Sequence, residues 1–309
     1  MHVKKINAKL NSLNKLMKIV ESRKNITLIN ILKLSQRINH FYHHALSSRQ
    51  LIEQLQSEVA TNDELFDEGF LRKILNKTLA KKQNSNFENS IWIYVTEEEQ
   101  YSTNSYFKHE QFLSQNIKKN DLLITIGQRA INFALENKFN VIFEYPENNV
   151  EVLSEVLPNF LEYYLQQFSF YNVKFIINST KLKGNFFEVL PINKLNFELP
   201  TKKEINLNLN FKKMKIYPSV DEFISSELNS YLTYITLTLL SESSLIYLKY
   251  KLVAENQKIH DLEKKFKQMR LKMLRGKREL EVEQLSLLSK KKDLLHSEKK
   301  LVVQEEQHD

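Results

Sequence analysis

After Pro218 the 309-residue chain contains no further proline and a single glycine, Gly276. Through that stretch Leu245, Leu252, Ile259, Phe266, Met273, Leu280, Leu287, Leu294 and Leu301 return at every seventh position. A seven-residue apolar repeat keeps one seam of a slightly underwound helix turned toward a partner, which is the coiled-coil condition. At 1.5 Å per residue such a helix reaches roughly 130 Å, too long to be hidden in a compact domain. A second apolar series, Leu248, Leu262 and Met269, shares the seam and then gives way to Gly276, Glu283, Lys290 and Ser297. A seam that loses half its apolar positions has lost its partner there. The helix is therefore expected to be paired at its base and single, or differently partnered, at its tip.

Residues 1–68 hold neither glycine nor proline. Alternating steps of four and three from Ile6 pass through Leu10, Leu13, Met17, Val20, Lys24, Thr27, Ile31, Leu34, Ile38, Phe41, Ala45, Ser48, Ile52, Leu55 and Val59, apolar at all but Lys24, Thr27 and Ser48. This predicts a second coiled-coil helix of roughly 80 Å. The first helix ends where the middle of the chain begins, and the last starts where the middle ends. Both are thus rooted together, and pairing from that root makes them antiparallel. A count of about 57 residues outward from residue 220 lands near Gly276, where the second apolar series fails.

The middle changes period. Ile91–Val95, Asp121–Ile126, Asn140–Tyr145 and Val173–Asn178 are short runs rich in β-branched and aromatic residues with helical patterns between them, and Phe186–Ile192 adds a strand after a turn at Lys183 and Gly184. Strands alternating with helices imply a mainly parallel sheet with crossover helices. The expected organisation is an N-terminal coiled-coil helix (1–60), a polar connector with a short helix at Asp63–Lys77 (61–90), an α/β domain (91–200), a lysine- and asparagine-rich linker (201–217) and a C-terminal helix with a protruding tip (218–309). Pro218, Asp221 and Glu222 mark the start of that last helix. The fold class is a long antiparallel two-helix coiled coil with a small Rossmann-like α/β domain inserted between its helices.

Composition narrows the function classes. Hydrophobic residues make up 42% of the chain, enough for a core. Cysteine is absent, which removes thiolate and disulfide chemistry. No run of apolar residues is long enough to span a bilayer, so the expected location is cytoplasmic, at a membrane only through partners. The net charge of +8 invites acidic partners, yet much of it sits on helices that alternate lysine with glutamate, as a solvated face does.

The search for chemistry yields little. No G-x-x-x-x-G-K-[ST] loop is present, and Gly127 is followed by Gln128, Arg129 and Ala130 without the further glycines of a dinucleotide site. A tight turn between strand and helix accounts for Gly127. His40, His43 and His44 have metal-compatible spacing but no neighbouring carboxylate, and a coiled-coil face accounts for them. Glu97, Glu98 and Glu99 follow the first strand, at the edge where α/β sheets bind ligands, and read as a solvated loop or a contact for the globular foot. Basic residues from Lys265 through Lys277 and Arg278 to Lys290, Lys291 and Lys292 invite nucleic acid, but Glu279, Glu281, Glu283 and Glu298 interleave and no aromatic side chain is available for base stacking. No catalytic, cofactor or metal site is expected.

This plan resembles the gamma subunit, the rotor shaft of F1-type ATP synthases. Ile6, Lys9, Leu10, Ser12, Leu13, Lys18 and Ile19 are similar to that family's opening I-x-x-K-I-x-S-V and K-I-T. Leu123–Phe133, LITIGQRAINF, resembles its strand, I-G-x-K-G and helix. Lys174–Asn178 followed by VLPI ending at Ile192, then KIYPSVDEF, then Ser241 with Glu242, and finally Glu279 with Leu280 look like the family's last sheet segments, its Y-x-x-x-P, its S-E and its I-T-x-E-L-x-E-I. The departures are as specific. Residues Glu97 to Ser102 replace a glycine- and cysteine-containing loop. Lys272 and Met273 stand at the family's R-Q pair, Gly276 and Lys277 at its isoleucine and threonine, Arg23 at a usual methionine, and about twenty residues extend the end.

The resemblance implies a non-catalytic shaft inside an alpha3beta3 ring of alpha-like and beta-like ATPase subunits, with an epsilon-like subunit or a membrane or motility complex at the foot. Nucleotide chemistry would belong to the ring, and direct nucleic-acid contact and membrane insertion are not implied. The ring contacts it suggests are Lys9, Lys18, Arg23, Lys272, Met273, Arg275, Lys277, Arg278, Glu279 and Leu280, with Glu97, Glu98 and Glu99 facing the foot. The lysine, asparagine and isoleucine bias resembles the divergent F1-like ATPases of mollicutes. Both a proton-coupled ATP synthase and a specialised motor such as gliding machinery stay open. The rival reading is a non-rotary structural coiled coil that joins nucleic acid or a cytoskeletal or membrane assembly.

Overall fold

The computed structural model describes residues 3–59, 90–98, 105–168, 172–181, 185–197, 215–217 and 219–305, with side chains not described at residues 56–59, 105, 166–168, 193, 221 and 291–305. The short helix expected at Asp63–Lys77, the turn at Lys183 and Gly184, most of the linker 201–217, Pro218 and Glu99 lie outside the described residues. The chain is helix-rich, with a mixed five-stranded sheet between long N- and C-terminal helices. It divides into two compact units, Met1–Thr27 with Leu252–Asp309 and Leu28–Lys251.

In the second unit the strands β1 (Ser90–Val95), β2 (Leu122–Ile126), β3 (Val141–Tyr145), β4 (Asn172–Ile176) and β5 (Phe187–Leu190) are ordered β3-β2-β1-β4-β5. The first four are parallel, and β5 runs antiparallel to β4. A parallel sheet is covered on both faces, so its central strands can be apolar at every position. All residues of β1 and β2 are buried accordingly. The expected strands agree with the observed ones to within one or two residues, except that Phe186–Ile192 gives only the four residues of β5. Pro191 has no N–H to extend the ladder, and a 3-10 turn, Ile192–Lys194, follows it.

Helices α2 (Ser105–Asn116) and α3 (Gln128–Asn137) cover one face of the sheet, where Trp92, Tyr94, Leu113, Leu123, Ala130 and Ala134 form a small core. The larger core lies on the other face. There α4 (Val150–Phe168) buries Leu153, Leu157, Leu161 and Leu165. Within this unit α1 (Val3–Val59) adds Ile38, Ala45, Ile52 and Leu55, and the C-terminal helix α5 (Val220–Glu305) adds Ile224, Leu228, Leu232, Ile235 and Leu239. Each fully buried leucine or isoleucine contributes about 1.5–3 kcal/mol. Two phenols pin the long helices to the β5 region. Tyr42 Oη donates to the Phe197 carbonyl at 2.8 Å, and Tyr231 Oη to the Val189 carbonyl at 2.9 Å. Ser219 caps α5, its Oγ accepting from the Glu222 amide at 3.2 Å, beside the charged residues that mark this start in the sequence.

In the first unit the burial rhythm of both helices is plain. Along α1 the covered positions are Val3, Ile6, Leu10, Leu13, Met17, Val20, Lys24 and Thr27; along α5 they include Leu252, Glu255, Ile259, Leu262, Phe266, Met269, Met273 and Gly276. These are the steps of three and four read from the sequence, and the polar Lys24 and Thr27 keep their places on the seam. From Lys277 to Lys290 every residue of α5 is exposed.

Two glycines give opposite expectations. Gly127 has φ 97°, and a Cβ there would lie 2.2 Å from the Thr96 carbonyl oxygen, so Gly127→Ala should cost about 3 kcal/mol in denaturant unfolding. At Gly276 a Cβ would meet, among the described residues, a single Val3 methyl at 3.3 Å, in the first described turn of α1. Gly276→Ala should therefore stabilise by about 0.5–1 kcal/mol, because glycine inside a helix is costly.

Candidate functional site

Two regions gather the residues singled out in the sequence. The first is the seam of the first unit, where the heptad pattern turns Lys9 and Lys272 toward one cleft of about 320 Å³ that also includes Ser12, Leu13, Gln268 and Met269. Lys18, Arg23, Arg275, Lys277, Arg278 and Glu279 are exposed, whereas Met273 is half-buried in the seam. Among the described residues Lys272, Arg275, Lys277 and Arg278 enter no ion pair. Beyond Gly276 the helix presents Leu280 at 46% exposure, Val282 at 65%, Leu285 at 66%, Leu287 at 58% and Leu288 at 60%. A helical surface this apolar and this uncovered is one that a partner is expected to sheathe.

The second region is the carboxyl edge of the sheet, in the other unit. Thr96 follows β1, and its Oγ lies 3.2 Å from both the Ile126 carbonyl oxygen and the Ala130 amide, locking the β2–α3 turn. Glu97 follows. Its Oε1 accepts from Asn148 Nδ2 at 2.6 Å and from Ser244 Oγ at 3.1 Å, and its amide donates to Tyr106 Oη at 2.9 Å. Asn148, just past β3, also donates to the Leu240 carbonyl on α5 at 3.2 Å. Glu98 Oε2 accepts from Tyr247 Oη at 2.9 Å. Past β4, Ser179 Oγ and Lys181 Nζ reach Glu242 at 3.1 and 2.8 Å, and the Glu242 side chain is fully buried.

A cavity of about 520 Å³ opens beside this edge, between Thr96, Glu97, Glu98, Gly127, Asn148 and Tyr247. On its Arg129 side, that guanidinium forks onto Glu110 at 2.6 and 2.8 Å. Burial is the largest influence on Glu97 and pushes its carboxyl above the ordinary value of 4.5, against the hydrogen bonds from Asn148, Ser244 and Ser243.

The acidic run is therefore no solvated loop at its start. Glu97 and Glu98 are fastened to α5, and Glu99 lies outside the described residues. Asn148, Ser179, Lys181, Ser244 and Tyr247 were not singled out from the sequence. The available signal was the polar SESS, residues 241–244, inside an otherwise apolar helical run. His40 and His44 meet edge to face at 4.4 Å and His44 stacks on Tyr234 at 4.9 Å, so these rings serve packing. No group of three metal ligands occurs among the described residues.

No protein-family model matches the chain. The uncharacterized protein UU050 of Ureaplasma parvum serovar 3 is 33% identical to it over 299 residues, with 94% of each chain covered. Among solved structures, the chain is similar to one from the rotor of the Euglena gracilis mitochondrial ATP synthase, at 13% identity and a TM-score of 0.44 over 90% of this chain and 98% of that one. It is also similar to one from the OSCP/F1/c-ring assembly of that enzyme, at 11% identity and a TM-score of 0.46 over 96% and 95% of the two chains. A third likeness is to a chain of the central stalk and c-ring of the Tetrahymena thermophila mitochondrial ATP synthase, at 13% identity and a TM-score of 0.41 over 75% and 98%.

Because the fold favours the neutral carboxyl of Glu97, the stability this adds is full below pH 4.5 and is lost as pH rises through the raised folded-state value. Glu97→Gln stays neutral throughout and keeps an acceptor oxygen for Asn148 and Ser244. Urea midpoints should coincide for the two proteins below about pH 4.5 and move apart in favour of the variant as pH rises above it.

Proposed function

The chain belongs to the family of the Ureaplasma parvum protein UU050, and we propose that it serves as the central rotor shaft of an F1-like rotary ATPase. One observation carries this reading. The covered seam of α5 ends at Gly276, where a Cβ would touch Val3 at the start of α1, and the helix then continues with its apolar residues exposed. Such a helix needs a sheath, and none of the described residues supplies one. A ring of subunits around the shaft supplies one, and the sequence resemblance to gamma subunits points the same way.

In this reading the two long helices run antiparallel as a coiled coil. The proximity of Val3 to Gly276, the cleft shared by Lys9–Leu16 and Lys265–Lys272, and the contact of His44 with Tyr234 support that direction. The paired part resists twist, and the single-helix tip enters the bearing. Lys9, Lys18, Arg23, Lys272, Arg275, Lys277, Arg278, Glu279 and Leu280 face alpha-like and beta-like subunits, and the cations near the tip meet acidic loops whose changing contacts couple rotation to site occupancy. The chain is non-catalytic; ATP is hydrolysed or made in the ring. It works in the cytoplasm, peripheral to the membrane through its complex, with the sheet domain toward an epsilon-like subunit and a proton-coupled or motility machine such as gliding machinery.

Native mass spectrometry of the complex purified through a tag on this chain, with ATPase assayed on the same sample, tests the reading. One copy with three each of two nucleotide-binding subunits is expected, and the accompanying subunits identify the attached machine. A homo-oligomer or a nucleic-acid adduct would replace the rotor by the structural coiled coil. Within the complex, glutamate at positions 272, 275, 277 and 278 together should slow or uncouple hydrolysis by about tenfold, equivalent to roughly 1.4 kcal/mol. Unchanged turnover would sink the bearing contact.

A further inference from the structure

Resting on the shaft reading, we propose that Leu240–Tyr247 of α5 is the joint through which turning force passes between the long helix and the sheet, with Glu242 and Glu97 as its positioning residues. Loops after three strands converge on these two turns of helix: Glu97 and Glu98 after β1, Asn148 after β3, and Ser179 and Lys181 after β4. In the sheet β3 and β4 lie on opposite sides of β1, three strand positions apart. At about 4.8 Å per position, the strands that carry the outer anchors are spread over roughly 14 Å. Anchors so spread form a lever arm where a single contact would act as a pivot.

The grip also closes around the helix. At about 100° per residue, Leu240, Ser244 and Tyr247 share one side of α5, whereas Glu242 leaves it roughly 160° away from Ser244. The helix is therefore held from two opposing sides by groups on different strands. The type of bond matters as well. Apolar packing is non-directional and lets a helix roll, whereas hydrogen bonds to charged groups weaken as their geometry is turned. A fully buried carboxylate answered by Lys181 and Ser179 is a costly way to hold a helix still if adhesion alone were needed.

The chain has no cysteine, so two introduced thiols can be spin-labelled without interference. Labels at Leu135→Cys on α3 and Lys249→Cys on α5, both exposed, report the distance between sheet and helix by pulsed electron spin resonance. With Glu97→Ala and Glu242→Ala added, the width of the distance distribution should grow at least twofold in the isolated full chain, and circular dichroism should show the helices retained. If that pair unfolds the chain, Lys181→Met with Tyr247→Phe is measured in its place. In a separate preparation without labels, Asn148→Cys and Ser244→Cys joined by a short thiol cross-linker should restore, in the weakened chain, the hydrogen-exchange protection of residues 240–247. An unchanged distance width, or protection that the cross-link does not restore, overturns the joint. Both measurements are made without the ring, so absence of an alpha3beta3 complex overturns the shaft reading independently.

Discussion

A carboxylate sealed from water is tolerated only where its charge is answered, and the answer to Glu242 comes from Lys181 and Ser179 on the far side of the sheet edge. Desolvating such a charge costs several kcal/mol before any partner is counted. The pairing therefore dictates where α5 sits against β4, and with it the position of the two turns that meet Glu97 and Tyr247. The apolar core beneath supplies most of the adhesion but little of the register, since hydrophobic burial is indifferent to small rotations.

The same division between adhesion and register explains what could be read in the sequence. The strands were legible because β1 and β2 are buried on both faces and so appear as uninterrupted apolar runs. The seam was legible because its steps of three and four repeat over many turns, and isolated exceptions such as Lys24 and Thr27 could not hide them. The end of coverage at Gly276 was legible from the failing second series.

The polar contacts around residues 240–247 were hidden for a physical reason. Ser244 and Glu97 are 147 residues apart, and Glu242 and Lys181 are 61 apart. Periodicity reports which face of an element is covered, not which polar group across the fold will meet it. Three glutamates in a row after a strand look like a hydrated loop because local sequence cannot reveal that an asparagine past β3 will donate to the first of them. Polar residues inside an apolar helical run, as at 241–244, are the one local sign of such a partner.

The glycine at the end of the covered seam has a mechanical consequence. In the shaft reading, the first unit's part of α5 shares any bending load with α1 up to that position, and beyond it, where no described residue covers the helix, α5 carries the load, starting at the residue whose missing side chain gives the least local support. Stiff and soft sections joined end to end behave as springs in series, and the softer one takes most of the strain. Elastic energy would then be stored beyond Gly276 and returned there, leaving the paired section nearly undeformed.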